Sequence, residues 1–266
     1  AYFTTFLKYK YLLHNLISRD LKVKYRRSTL GLLWSVLNPL LMAIVISIVF
    51  QNFFKFAVPN FAVYYLTGSL IFNFMNEATS SAMVSIVGNA PLIKKVYIPK
   101  YIFPLEKVMF AFVNMLFSMI ALVIMMGVTK LGIIGSAADL NISWTIVLFF
   151  IPMLYTLVFS LGLGLILAAV NVYFRDVGHL YSVWTMAWMY LTPIIYPMDI
   201  VEGTWVMNVI RLNPMYYFVT YFRDVVTNGT VPGLKTNLLC MGISLLFLVL
   251  GLWVFKKKQD RFILFI

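Results

Sequence analysis

Two sets of residues in this chain have the types and spacing to do more than pack. The first is a polar stripe, Ser69, Asn73, Asn76, Glu77 and Ser80, at i, i+4, i+7, i+8 and i+11 within an otherwise apolar run. Those positions fall on one face of a helix. Their carboxylate, amides and hydroxyls could line a hydrated pathway, or could hydrogen-bond a neighbouring helix. Glu77 is the only charged residue between positions 56 and 93. A charge at a bilayer centre costs ~3 kcal/mol on insertion scales, so its carboxylate must face protein or water. The second set is Tyr181, Trp184, Thr185, Trp188 and Thr192, at i, i+3, i+4, i+7 and i+11. An indole N–H in an apolar setting needs an acceptor. Flat aromatic faces suit sugar rings, and they equally suit a protein core.

Covalent chemistry finds little support. The chain contains no Gly-Lys pair and hence no phosphate-cradling G-x-x-x-x-G-K-[ST] loop. His14 and His179 have no second ligand at metal spacing, so no metal site is expected. The single cysteine, Cys240, excludes an intrachain disulfide. Any work against a gradient therefore draws on energy supplied elsewhere.

The elements that position these stripes follow from composition. Of 266 residues, 62% are hydrophobic and 11% charged, against about 25% charged in soluble domains. This excludes a soluble enzyme, a disordered chain and a secreted disulfide scaffold, and leaves an integral membrane protein. Residues 28–54, 108–129, 140–174, 177–198 and 236–255 carry no charge. With 56–93 they make six runs, each long enough for the roughly 20 residues of a spanning helix. The fold expected is an all-α integral membrane protein in one domain. Its six transmembrane helices are placed at about 33–54, 62–87, 106–128, 144–172, 178–197 and 235–255.

Charge sets the orientation. The net charge is +12, yet the basic residues gather at the chain ends and in loops, which argues for membrane topology and against nucleic-acid binding. With the N-terminus inside, sixteen of the 21 Lys and Arg are cytoplasmic; only Lys55, Lys130, Arg211, Arg223 and Lys235 are external. Both termini are expected in the cytoplasm. The first apolar run starts too late, and is too long, for a cleavable signal peptide.

Three segments lie outside the spans. Residues 1–30 read as an amphipathic interfacial helix, with Leu12, Leu13, Leu16, Ile17 and Leu21 on one face. It serves as a lipid anchor or as a docking surface. The loop 89–107 is punctuated by Pro91, Pro99 and Pro104, leaving room for a short basic helix over 91–98. There Lys94, Lys95 and Lys100 could pair with an acidic partner, and Val96, Tyr97 and Ile98 could wedge into it. The external segment 198–234 holds two apolar pieces, 203–212 and 214–227. Asn213-Pro214 reads as an N-cap and first helical residue, Asn228-Gly229 as a stop. These short re-entrant or interfacial helices, with Tyr217, Tyr221 and Phe222, form either an outer gate or an aromatic belt.

The runs RDLKVKYRRSTLGLLWSVLNPL (19–40), NAPLIKKVYIPKYIFPL (89–105), NVYFRDVGHL (171–180), LTPIIYP (191–197) and RLNPMYYFVTYFRDVV (211–226) resemble the type-2 ATP-binding cassette permeases. More narrowly, the chain is similar to permeases exporting lipid-linked O-antigen or wall teichoic acid. The resemblance covers about residues 5–256. It implies a homodimer in the bacterial plasma (inner) membrane, with two cytoplasmic ATP-binding subunits that carry ATP and Mg; this chain itself holds no cofactor and is no enzyme. It also implies that 5–28 and 90–100 contact those subunits. Spans one and five, with Asn38 and the Tyr181–Thr192 stripe, would line a polysaccharide path gated by the short external helices. A drug or small-lipid permease, a membrane enzyme acting on lipid-linked sugars, and an ion-coupled carrier are the competing readings. The apolar end, FILFI, has no role assigned.

Overall fold

The computed structural model describes residues 2–26, 29–52, 58, 60–134 and 140–265. Arg27 and residues 53–54, which close the first expected span, lie outside the described residues, as does Pro59 of the turn after it. Among the described residues there is no strand. The helices are α1 (Tyr2–Tyr25), α2 (Leu33–Asn52), α3 (Phe61–Gly88), α4 (Ala90–Lys95), α5 (Ile102–Lys130), α6 (Phe150–Tyr173), α7 (Val177–Tyr190), α8 (Trp205–Arg211), α9 (Pro214–Arg223) and α10 (Leu234–Lys258). A 3-10 turn, Trp144–Phe149, leads into α6. Among the described residues four helical stretches are long and apolar enough to cross a membrane: Leu33–Phe50, Ile102–Lys130, Trp144–Tyr173 and Leu234–Leu264.

The helix α3 is the centre of the bundle. It packs on α5, α6 and α2 along its length and on α7 and α9 as well. Eighteen of its 28 residues are buried, including Phe61, Leu66, Phe74 and Ile86. Its apolarity is diluted by the stripe at Asn73, Asn76 and Glu77. A helix sheltered on several sides by other helices can carry such residues where a lipid-facing one cannot.

Small residues set the closest helix approaches. Without a hydrophobic drive between helices in lipid, packing depends on backbones coming close. Gly164, within a series of small residues at every fourth position of α6 (Ser160, Gly164, Ala168), faces α3: a Cβ there would come 2.9 Å from that of Ala82. On the other side of α6, Gly162 lies against the backbone of Phe247, and Gly251 against that of Gly162, with no room for a Cβ at either.

Two expected helices differ from the structure. The fifth, read as 178–197, ends at Tyr190 after 14 residues. At 1.5 Å per residue this is about 21 Å, short of the ~30 Å of a hydrocarbon core. Pro193 is the reason: it bars the helical region to Thr192 and brings no N–H of its own. The chain turns instead, with Ile194 N–H donating to the Thr192 carbonyl at 2.7 Å. The basic helix read as 91–98 occupies only Ala90–Lys95, and Val96 is extended (φ −131°, ψ 134°). Pro99 holds Ile98 out of the helical region in the same way.

The two ends of the bundle are unlike. At one, here the basic end, lie α1, α4, the start of α5 and the residues after α10. Tyr9 Oη donates to the Tyr97 carbonyl at 3.4 Å, and α1 is tied to α5 by Asp20 and Lys107. The apolar face of α1 turns to protein, with Leu16 buried. At the other, the capped end, α9 and the turn after α7 close over the start of α3, and α8 packs on α9.

Candidate functional site: a polar cleft and a sealed cap

The α3 stripe opens onto a cleft of about 850 Å³ between α2, α3, α5 and the end of α1. Asn38 and Trp34 of α2 line one wall; Ser69, Asn73, Asn76, Glu77 and Ser80 of α3 line another. Helical periodicity alone places those five side chains together. Glu77 is held from two other elements. Lys24 Nζ, in the last turn of α1, donates to its Oε1 at 2.8 Å, and Asn114 Nδ2 of α5 donates to Oε2 at 2.8 Å. The ammonium also lies 5.3 Å from the Phe110 ring. Asn76 Oδ1 accepts from Ser80 Oγ at 3.2 Å. The Glu77 carboxylate thus bonds to neighbouring helices, while Asn73 of the stripe and Asn38 on α2 stay exposed. The lining offers amide and hydroxyl groups, one ion pair and ring faces. That set suits reversible hydrogen bonding to a hydroxyl-rich ligand.

The α7 stripe is split. Tyr181, Thr185, Trp188 and Thr192 are buried, whereas Trp184 is 55% exposed against 7% for Trp188. Tyr181 Oη lies 2.6 Å from Thr79 Oγ1 of α3. Trp188 Nε1 donates to Asn213 Oδ1 at 2.6 Å, and its ring meets Phe72 and Phe159 edge-on at 6.4 and 6.2 Å. Asn213 is the N-cap that the Asn-Pro pair predicts, its Oδ1 accepting from Met215 N–H at 2.9 Å. Its Nδ2 donates to Thr192 Oγ1 at 2.8 Å and to the Leu191 carbonyl at 3.1 Å. One amide side chain therefore caps α9, receives the indole N–H and ties down the turn after α7.

Arg223 completes the cap, and sequence reasoning missed it. It is buried, and among the described residues no carboxylate pairs with its guanidinium. Nη1 donates to the Pro193 carbonyl at 2.6 Å, Nη2 to the Tyr64 carbonyl at 3.1 Å and Nε to Thr67 Oγ1 at 3.3 Å. The guanidinium lies 3.6 Å from the Tyr64 ring centroid. Burial pushes its pKa down from the ordinary arginine value. Gly68 makes the space, since a Cβ there would come 2.7 Å from Nη2. Counted only as an external charge, Arg223 could have been noticed as a lone cation within the apolar piece 214–227. The expected gate residues divide. Tyr221 and Phe222 are buried, Tyr221 Oη donating to Asn237 Oδ1 at 3.0 Å. Tyr217 is half-buried and donates to the Arg211 carbonyl at 2.8 Å.

At the basic end, Lys94, Lys95, Val96 and Tyr97 are exposed, Tyr97 to 94%. Ile98 is half-buried against a second apolar cluster. Lys100 is turned inward: its Nζ donates to the Gln259 carbonyl at 2.6 Å. Burial lowers its pKa, and the Asp260 carboxylate partly offsets that.

Comparison with known proteins gives a consistent result. A family described as ABC-2 type transporter matches residues 11–227. The chain is 30% identical over 247 residues to the O-antigen export system permease protein RfbA of Klebsiella pneumoniae, covering 92% of this chain and 91% of that one. It is 28% identical to the protein of the same name from Myxococcus xanthus, covering 96% and 95%. To the capsule polysaccharide export inner-membrane protein CtrC of Neisseria meningitidis serogroup A it is 26% identical, covering 91% and 89%.

Proposed function

The chain belongs to the ABC-2 type transporter family, and from that premise we propose that it is the permease subunit of an ATP-driven exporter of a polyprenyl-linked polysaccharide. The observation that carries this reading is near end-to-end similarity to permeases of both O-antigen and capsule export. The cleft supports it, because amides, hydroxyls and ring faces are what a sugar chain can use in passing. The drug, small-lipid and ion-coupled readings lack such support.

In this reading the chain crosses the inner membrane six times. Four crossings are the long apolar stretches, one is α3, and one is α7 with the turn that follows it. Both termini and the basic end are cytoplasmic, and the capped end is external. The chain works as a homodimer with two ATP-binding subunits, which bring ATP and Mg and do the hydrolysis. The α1 helix and the 90–100 loop meet those subunits. The exposed apolar faces of α2 and α7, including Leu41, Val45 and Ile48 on one and Val183, Trp184 and Tyr190 on the other, are available to a second copy and to lipid.

The test is deletion of the gene in its host with complementation from a plasmid. Surface polysaccharide should vanish and lipid-linked polymer accumulate inside, and the chain should restore export only beside its ATP-binding subunit. Undiminished surface polysaccharide in the deletion strain would remove the proposal. Single cysteines from Lys95→Cys and Asn228→Cys, with Cys240 replaced, test orientation. An impermeant thiol reagent should label position 228 in intact cells and leave position 95 unlabelled until the cells are opened.

A further inference from the structure

The residues after α10 fold back onto the loop that carries α4. Gln259–Leu264 form a 3-10 turn, and Phe262 within it is fully buried. Its ring meets Phe255 edge-on at 5.4 Å and Tyr173 at 6.1 Å. These belong to an apolar cluster separate from the main core, which also takes in Ile93 of α4, Phe103 at the start of α5 and Leu165 of α6. The helix α4 has six residues, of which only Ile93 is buried. So short a helix is not stable by itself and depends on tertiary support.

That support grips the loop on both sides of its exposed part. Before it, Ile93 sits in the cluster that Phe262 completes. After it, Lys100 Nζ donates to the Gln259 carbonyl and lies 5.8 Å from the Phe262 ring. Tyr173 Oη fixes the same turn from α6, donating to the Lys258 carbonyl at 3.0 Å. Between the two grips, Val96 and Tyr97 stand out into solvent.

We propose that Phe262 is a positioning residue for energy coupling: through it, the segment 259–264 fixes where the 90–101 loop stands and passes load from that loop to α6 and α10. This rests on the reading of the chain as an ABC permease whose loop meets an ATP-binding subunit. Close-packed aromatic clusters transmit displacement instead of absorbing it. A push on Tyr97 then turns the loop about Phe262, and the helices that receive the load are the pair locked together at Gly162 and Gly251. Lys100 acts within the chain as the second grip, leaving Lys94 and Lys95 as the cations exposed to a partner.

The experiment uses the chain assembled with its ATP-binding subunits in nanodiscs. Loop mobility is read from a spin label placed by Tyr97→Cys in a Cys240→Ala background, and ATPase is measured separately in chains that keep Tyr97. Phe262→Ala should raise the mobility of the label and cut substrate-stimulated ATPase by about 2- to 30-fold, the range for changes along a coupled network. Phe262→Leu should recover most of both. Lys100→Met keeps the apolar stem, removes the donor, and should give an intermediate loss; it also serves if Phe262→Ala fails to assemble. Unchanged label mobility in Phe262→Ala, or in Lys100→Met where that variant stands in, overturns the proposal. So does a freed label with stimulated ATPase intact. If the unsubstituted assembly shows no partner-dependent ATPase, the transport reading falls, and coupling through Phe262 with it. The label still reports separately whether Phe262 holds the loop.

Discussion

The cap and the cleft are built from the same kinds of residue: asparagine, a charged side chain, hydroxyls and aromatic rings. In the cap every donor discussed meets an internal acceptor. Arg223 reaches two carbonyls and a hydroxyl, and Asn213 joins Trp188, Thr192 and the start of α9. In the cleft, Glu77 is held by Lys24 and Asn114, yet Asn73 and Asn38 face open space. A fully satisfied buried network rigidifies the fold around it. A partly satisfied one in an open cleft retains hydrogen-bonding capacity for something that enters. The same residue types are thus sealed architecture at one place and an open polar surface at another.

Breaking the cap should have the largest effect. Arg223→Leu removes the donor shared by the Pro193 and Tyr64 carbonyls and Thr67 Oγ1, and leaves the Tyr64 hydroxyl to tie α3 to the turn after α7. Hydrogen bonds to a charged group contribute about 1.5–3 kcal/mol each, and all three made by the guanidinium are lost, so folded yield and thermal stability in detergent should fall sharply. Arg223→Lys should recover only part, because an ammonium cannot reproduce the guanidinium fork. A Leu variant with unchanged melting would mean that the cap does not depend on this residue.

Next in size is Asn213→Ala, which leaves the Trp188 N–H and Thr192 Oγ1 without this partner. A buried polar group stranded in this way costs about 1–3 kcal/mol. The paired tryptophans sharpen the contrast. Trp188→Leu should reduce assembled protein, whereas Trp184→Leu should assemble normally and lower export. Equal behaviour of the two would erase the distinction between the buried and exposed faces of α7.

The cleft should respond in activity more than in stability. Glu77→Gln removes a partly exposed ion pair, a kind worth about 0–1 kcal/mol, and Asn73→Leu removes an exposed amide. Both should melt within about 0.5 kcal/mol of the parent, as surface substitutions usually do, while transport of polymer in reconstituted vesicles drops. Full transport in both would return the stripe to helix packing.

The smallest effect concerns pH at the basic end. Burial alone would raise the Asp20 pKa, but the Lys107 hydrogen bond and charge, with Arg19, bring it below the ordinary value. A depressed carboxylate stabilises the folded state above its unfolded pKa, and that contribution is lost as pH falls through the folded value. The α1–α5 tether should therefore be intact at neutral pH and release only below the usual aspartate range of about 3.9. Proteolysis at the junction after α1, by an acid-active protease across that range, measures it; release at pH 6 would contradict the assignment.

Much of the bundle was legible without coordinates. Charge-free runs fixed α2, α5, α6 and α10, since apolar length is set by the bilayer and local composition. The Asn213 cap, the Gly229 stop with its φ of +66° and the facing of the α3 stripe follow from backbone chemistry and helical period. The 14-residue α7 was less legible: the apolar run continues to Met198, but Pro193 breaks the helix within it, and hydropathy does not register a broken backbone.

Local pattern thus determined which segments are helical and which side chains share a face, because both depend on neighbours a few residues apart. Tertiary structure decided which of those faces are sealed and which are open. Lys24 and Glu77 are 53 residues apart, Arg223 and Tyr64 159, and Lys100 and Gln259 159. No sequence window joins such pairs; the packing of α3 among its neighbours, and of the turn after α10 on α6, does so. Whether a buried cation is satisfied, or an amide is left facing a cleft, depends on the acceptors that other elements bring within about 3 Å, and that distance is set only when the bundle closes.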